Sequence, residues 1–131
     1  MTLSFTLKSI IPAKPELVYN AWLDSEQHAT MTGGSPAICN NEEGQPFAAH
    51  NAYLWGKNLE LSTNKKIVQS WRTTGFKPTD EDSQIVVTFD KHSQGTQLTL
   101  IHSNIPQQEA AVEQGWVTHY FEPMTQYFKN K

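Results

Sequence analysis

Cysteine is nearly absent: Cys39 stands alone among 131 residues. No intrachain disulfide can form, so the fold must hold without covalent staples, which suits a reducing compartment and points to the cytoplasm. A basic stripe is missing too. Ten Lys and Arg stand against 13 Asp and Glu, for a net charge of -3, and only Lys65 and Lys66 are adjacent. Nucleic acid is therefore not an expected partner. No stretch approaches the roughly 18 apolar residues of a membrane span. The start, MTLSFTLKSI, lacks the basic segment and long apolar core of a signal peptide and alternates like a strand instead. There is no His-x-His, no His-Glu-x-x-His and no cysteine pair for a metal. Gly-x-Ser-x-Gly, a phosphate loop and a dinucleotide fingerprint are equally lacking. No cofactor and no metal are expected, and no catalytic residue is assigned.

What the chain does have is aromatic bulk. Trp22, Trp55, Trp71 and Trp116 join Phe47, Phe89, Tyr120, Phe121 and Phe128. Each such ring can bury about 150–250 Å². A chain of this length can bury roughly two-thirds of its unfolded surface, so residues 1–131 are expected to form one domain with one core.

Periodicity places the elements. Leu3, Phe5 and Leu7 alternate with polar residues, the pattern of a strand with one buried face. Pro15 opens a helix to Leu23, with Leu17, Val18, Ala21 and Trp22 at helical spacing. Asp24 can cap a second short helix, with Gln27 three residues on, and Gly33-Gly34 stops it. Strand segments follow at 36–40, 45–50, 53–61, 66–73, 84–90 and 96–102, separated by turn residues at 41–44, Asn51, 63–65 and 93–95 and by a polar loop over 74–82. Residues 106–131 then read as one long helix, apolar over a wide arc. A helix so apolar needs a cover. The strand-rich middle supplies it, predicting an α+β fold: a curved antiparallel sheet of about six or seven strands, two short helices after the first strand, and a long C-terminal helix on the concave face. Pro123 lies inside that helix, where proline costs roughly 3 kcal/mol unless the axis bends. A kink near His119 and Tyr120, or a break, is expected.

Several stretches together resemble a known family. Pro15-Glu16-Leu17-Val18-Tyr19 opens the first helix. Gly56-Lys57-Asn58-Leu59-Glu60-Leu61 pairs with Asn64-Lys65-Lys66-Ile67-Val68-Gln69-Ser70-Trp71-Arg72 as a hairpin. Gly95-Thr96-Gln97-Leu98-Thr99-Leu100 closes the sheet, followed by Ile105-Pro106, Gln114-Gly115-Trp116 and Tyr120-Phe121-Glu122. The order of elements resembles the START-like (SRPBCC) helix-grip superfamily. The motifs resemble the C-terminal domain of activators of the heat-shock-protein-90 ATPase. The resemblance implies a sheet wrapped around the last helix and brings no shared catalytic residues. By the same resemblance a chaperone is a candidate partner.

Three functions compete. The first is binding of a small, mainly apolar ligand between sheet and C-terminal helix, with Trp55, Trp71, His102, Trp116, His119 and Tyr120 as contact residues. Placing Trp55 there assumes that its strand runs without a bulge. The second is a protein-interaction module, using the outer sheet face or the 74–82 loop. The third is an enzyme with His102 or His119 as base. For each histidine, a hydrogen-bonded core or rim role is the commoner one. Cys39 is expected to be inert packing, and Glu109 and Glu113 exposed charges favoured by a helix N-terminus.

Overall fold

The computed structural model describes residues 2–130. Strand β1 (Thr2–Ile11) leads into helices α1 (Pro15–Leu23) and α2 (Ser25–Met31). Strands β2 (Pro46–Ala49), β3 (Leu54–Ser62), β4 (Lys66–Thr73), β5 (Ser83–His92) and β6 (Gly95–Pro106) follow. The chain closes with a 3-10 turn (Gln107–Glu109), helix α3 (Val112–Trp116), a π-helical turn (Val117–Phe121) and helix α4 (Glu122–Lys129). The six strands form one antiparallel sheet in the order β1-β6-β5-β4-β3-β2. The segment expected as a strand at 36–40 contributes only an isolated bridge, Ile38 to Ala48.

Alternation decides which residues face inward. On β4 the buried set is Ile67, Gln69, Trp71 and Thr73. On β5 it is Ser83, Ile85, Val87 and Phe89, and on β6 Thr96, Leu98, Leu100 and His102. These rows make the concave face. Trp116, Tyr120, Phe121, Met124 and Phe128 cover it from the C-terminal helix, with Val18, Tyr19, Ala21, Trp22 and Leu23 from α1. Leu17, read as part of the apolar face of α1, instead points to solvent. Asp24 caps α2 as expected, its carboxylate accepting from the Gln27 N–H at 2.9 Å. The Gln27 side chain does not reach back to Asp24 to complete a capping box. It accepts from the Tyr127 hydroxyl at 3.2 Å, tying α2 to α4.

Polar side chains also hold the core. Trp22 Nε1 donates to Gln69 Oε1 at 3.4 Å, Gln69 Nε2 to Asn58 Oδ1 at 2.9 Å, and Asn58 Nδ2 to Asn40 Oδ1 and the Glu42 carbonyl. This chain of bonds links α1, β4, β3 and the 40–45 loop, and it satisfies an asparagine with no exposed surface. The register slips between Asn58 and Glu60, a β-bulge. Before the bulge Leu54 and Asn58 face inward. Beyond it Leu61 packs against the core.

The C-terminal segment differs from the single helix expected over 106–131. Strand β6 runs on through Pro106, which pairs with Thr2, and regular helix starts only at Val112. Lys131 lies outside the described residues. Pro123 does not break the helix; it is the second residue of α4, directly after the π-helical turn. The Glu122 N–H bonds the Val117 carbonyl, five residues back, and Pro123 comes next. Proline has no N–H, so the change from five-residue to four-residue bonding falls where one donor is already missing.

Two glycines make opposite predictions. A methyl on Gly56 would overlap the Ser70 carbonyl and press on the Phe47 ring, whereas at Gly115 the nearest atom is 3.9 Å away. Urea unfolding is expected to show Gly56→Ala losing about 2–3 kcal/mol. Gly115→Ala, inside a helix, should gain roughly 0.5–1 kcal/mol.

Candidate functional site

A cavity of about 430 Å³ opens beside the C-terminal helix, at the end of the sheet where the β2–β3 turn meets the start of α3. Leu54, Trp71, Trp116, Tyr120 and Val112 form its apolar wall. His50, Tyr53, Gln108, Glu109 and His119 supply polar groups. Four expected contact residues thus meet here: Trp71, Trp116, His119 and Tyr120. Two do not. Trp55 pairs with Arg72 and Ala48 on the outer face and keeps 38% of its surface exposed. Its parity matches that of Leu61, but the bulge lies between them. His102 is fully buried behind the cavity wall.

The wall is backed by a cluster of tilted rings. Trp71 and Trp116 lie 5.6 Å apart, Trp116 and Tyr120 4.6 Å, and Trp22 and Tyr120 5.2 Å. Two histidines set their positions. An indole N–H can only donate, so the 3.0 Å bond from Trp116 Nε1 makes His102 Nδ1 the acceptor. The ring proton is then on Nε2 and goes to Ser83 Oγ at 2.9 Å, and the Ser83 hydroxyl donates to the Trp71 carbonyl at 2.6 Å. Burial pushes His102 down to about 3. With both nitrogens engaged, His102 has none left for a substrate proton, so it is a positioning residue.

His28 mirrors this from the other side. Its Nδ1 must donate to the Trp22 carbonyl at 2.7 Å, leaving Nε2 to accept the Tyr120 hydroxyl at 2.8 Å. Burial pushes His28 down to about 4, against the opposing pull of the Trp22 carbonyl. Burial raises Tyr120 above the ordinary tyrosine range. Neither ring belongs to a proton relay open to solvent.

The rim is more loosely satisfied. Residues His50, Asn51 and Ala52 all have positive φ, at 51°, 57° and 66°. Each left-handed non-glycine residue costs roughly 1–2 kcal/mol. Backbone bonds hold this turn, from Asn51 N–H to the Pro36 carbonyl and from Thr74 N–H to the Tyr53 carbonyl. It carries the His50 ring to 5.3 Å from Tyr120 and 6.0 Å from His119. His50 Nε2 is the buried side-chain nitrogen without a hydrogen-bond partner among the described residues. Burial first, and His119 second, lower its pKa. Glu109 is no free helix-end charge. It sits in the 3-10 turn, half-buried, and accepts the Thr73 hydroxyl at 2.6 Å. Cys39 is inert, its thiol pushed up to about 12 by burial, then by Asp24.

His28 and His50 were not singled out from the sequence. Their partners lie 92 residues away for His28 and in another element for His50, beyond any periodic pattern. The only local hint was the turn signature at Asn51. Among the described residues no three His, Cys, Asp or Glu side chains cluster to hold a metal ion, and no helix is long and apolar enough to cross a membrane.

A curved antiparallel sheet closed over a C-terminal helix, with a cavity at one end of the grip, defines a helix-grip α+β domain. The chain belongs to the family described as activator of Hsp90 ATPase homolog 1-like proteins, which matches residues 12–129. It is 29% identical to the human activator of 90 kDa heat shock protein ATPase homolog 1 over 97% of this chain and 37% of that protein. It is 33% identical to an uncharacterized Schizosaccharomyces pombe protein over 79% of this chain and 30% of that one. The chain therefore spans about a third of the length of these relatives. An HSP90 activator from Plasmodium falciparum shares the fold, with a TM-score of 0.81, 23% identity, and 97% and 95% of the two chains covered.

Two buried neutral histidines make stability depend on pH. Unfolded histidine titrates near 6.5 and the folded rings far lower, so the unfolded chain binds more protons between those values. Stability is full above pH 6.5 and is lost as pH falls toward 4. Unfolding free energy should drop by roughly 1.4 kcal/mol per pH unit for each histidine. His102→Gln should roughly halve that slope in urea titrations run from pH 6.5 to 4.5.

Proposed function

We propose that the domain binds a small, mainly apolar molecule in the cavity beside its C-terminal helix. The observation that carries this reading is the cavity itself. Its volume of about 430 Å³ falls in the range of small-molecule sites, and indole and aliphatic groups wall it with a few polar groups at its edge. The wall is built before any ligand arrives, because His102 and His28 fix Trp116 and Tyr120 from behind. Preformed walls reduce the ordering cost of binding. A cytoplasmic location suits the single cysteine.

The neutral dye N-phenyl-1-naphthylamine tests this. Its fluorescence should rise on saturable binding at micromolar concentrations, with energy transfer from Trp71 and Trp116. Val112→Phe, which fills the cavity from α3, should weaken binding about tenfold or more. A dye response that Val112→Phe leaves unchanged would place binding elsewhere and sink the proposal.

A second reading, as a module that contacts a heat-shock-protein-90 chaperone, rests on the alignment of nearly the whole chain with the human activator. The outer sheet face offers apolar groups for it: Trp55, Leu59 and Ile101 are exposed there. Arg72 holds the neighbouring 74–82 loop through Asp82 and the carbonyls of Asp80 and Lys77. On this reading the domain raises the chaperone's ATPase rate, Leu59→Ser with Ile101→Ser abolishes the effect, and Val112→Phe preserves it. No change in rate at high domain concentration would refute it.

A further inference from the structure

The two ends of the cavity differ in chemistry. Glu109 lies at one end, its carboxylate engaged by Thr73. His119 lies at the other, and the helix from Val112 to His119 rises roughly 10 Å between them. At the His119 end two imidazoles meet edge-to-face with centroids 6.0 Å apart, one from the strained β2–β3 turn and one from the π-turn. One of them, His50, buries a ring nitrogen with no partner. A buried polar atom left unpaired is destabilising until a partner reaches it.

Resting on the reading of this cavity as a ligand site, we infer that the ligand is a small aromatic or aliphatic acid whose anionic head sits between His50 and His119 and whose apolar body lies against Trp71 and Trp116. Burial and the neighbouring His119 disfavour the charged form of His50, and an anion beside the pair reverses that. It can accept a charge-assisted hydrogen bond from each ring, where a neutral hydroxyl would gain far less. Other groups near the pair are already committed or distant. The Tyr120 hydroxyl is bonded to His28, whose second nitrogen holds the Trp22 carbonyl. Tyr53 stands at the exposed rim. Glu109 repels an anion and so opposes the reversed orientation, which gives the site a polarity along the helix.

Binding the anion favours a proton on an imidazole whose charged form burial disfavours in the free protein. Affinity for an acid should therefore rise as pH falls from 8 to 6, while affinity for an uncharged analogue should not.

Competition against N-phenyl-1-naphthylamine, with 1-naphthylacetate and 2-(1-naphthyl)ethanol as matched probes, decides the matter. At pH 6 the acid should displace the dye at about tenfold lower concentration than the alcohol. By pH 8.5 that ratio should approach one. His50→Asn, which keeps a side chain tolerant of positive φ, and His119→Gln should each bring the pH 6 ratio within about twofold of unity. A ratio near one in the unsubstituted protein at pH 6 overturns the inference, as does a preference for acid that survives both substitutions. If the dye binds and neither probe displaces it, the acid site is refuted while the cavity reading stands. If the dye does not bind at all, both fall.

Discussion

The bond from the Trp116 indole to His102 is the constraint on which the arrangement depends. It fastens the C-terminal helix to the middle of the sheet through a ring that must stay neutral. Ser83 and the Trp71 carbonyl complete the set, so β4, β5, β6 and the helix meet at one fully buried side chain. The aromatic wall follows from it. Trp71 and Trp116 are held from behind, Tyr120 is held by His28, and the rings pack edge-to-face or tilted instead of collapsing into the remaining space. The cavity is the room left where this wall stops short of the β2–β3 turn and the start of α3.

The rim shows the opposite economy. The interior satisfies nearly every polar atom. The β2–β3 turn holds three consecutive residues in a backbone region that side chains disfavour, and its first residue leaves a nitrogen unpaired. Strain and an unmet hydrogen bond on the same residue, beside a cavity, are the combination found where a fold has been shaped for something other than its own stability.

Much of this was legible in the sequence. Strand alternation, the Asp24 cap and the covered C-terminal helix follow from local patterns, but period does not distinguish aromatic rings that line a space from rings that fill it. Trp55 was misplaced for a definable reason. Leu61 does face the core, and counting back in twos from it puts Trp55 inside, but the bulge after Asn58 inverts the count. The residue marking the inner face there is Asn58, a polar side chain that no apolar alternation would select. Glu109 reads as a solvated helix-end charge because nothing local shows that helix begins only at Val112. The roles of His28 and His50 depend on partners in distant elements. Their chemistry becomes readable only when the sheet has brought those elements together.

The π-turn changes how this chain should be lined up with others. Over Val117–Phe121 the backbone uses one residue more than a regular α-helix needs to reach the same point. Everything from Pro123 onward is therefore displaced by one position in the count, though not in space. A relative whose last helix is α-helical throughout would superpose on this one only with a single-residue gap within 117–121. Such a gap would record a change of helical winding and not the loss of a loop. Without it, Met124 and Phe128 would be compared with residues on the wrong side of the helix.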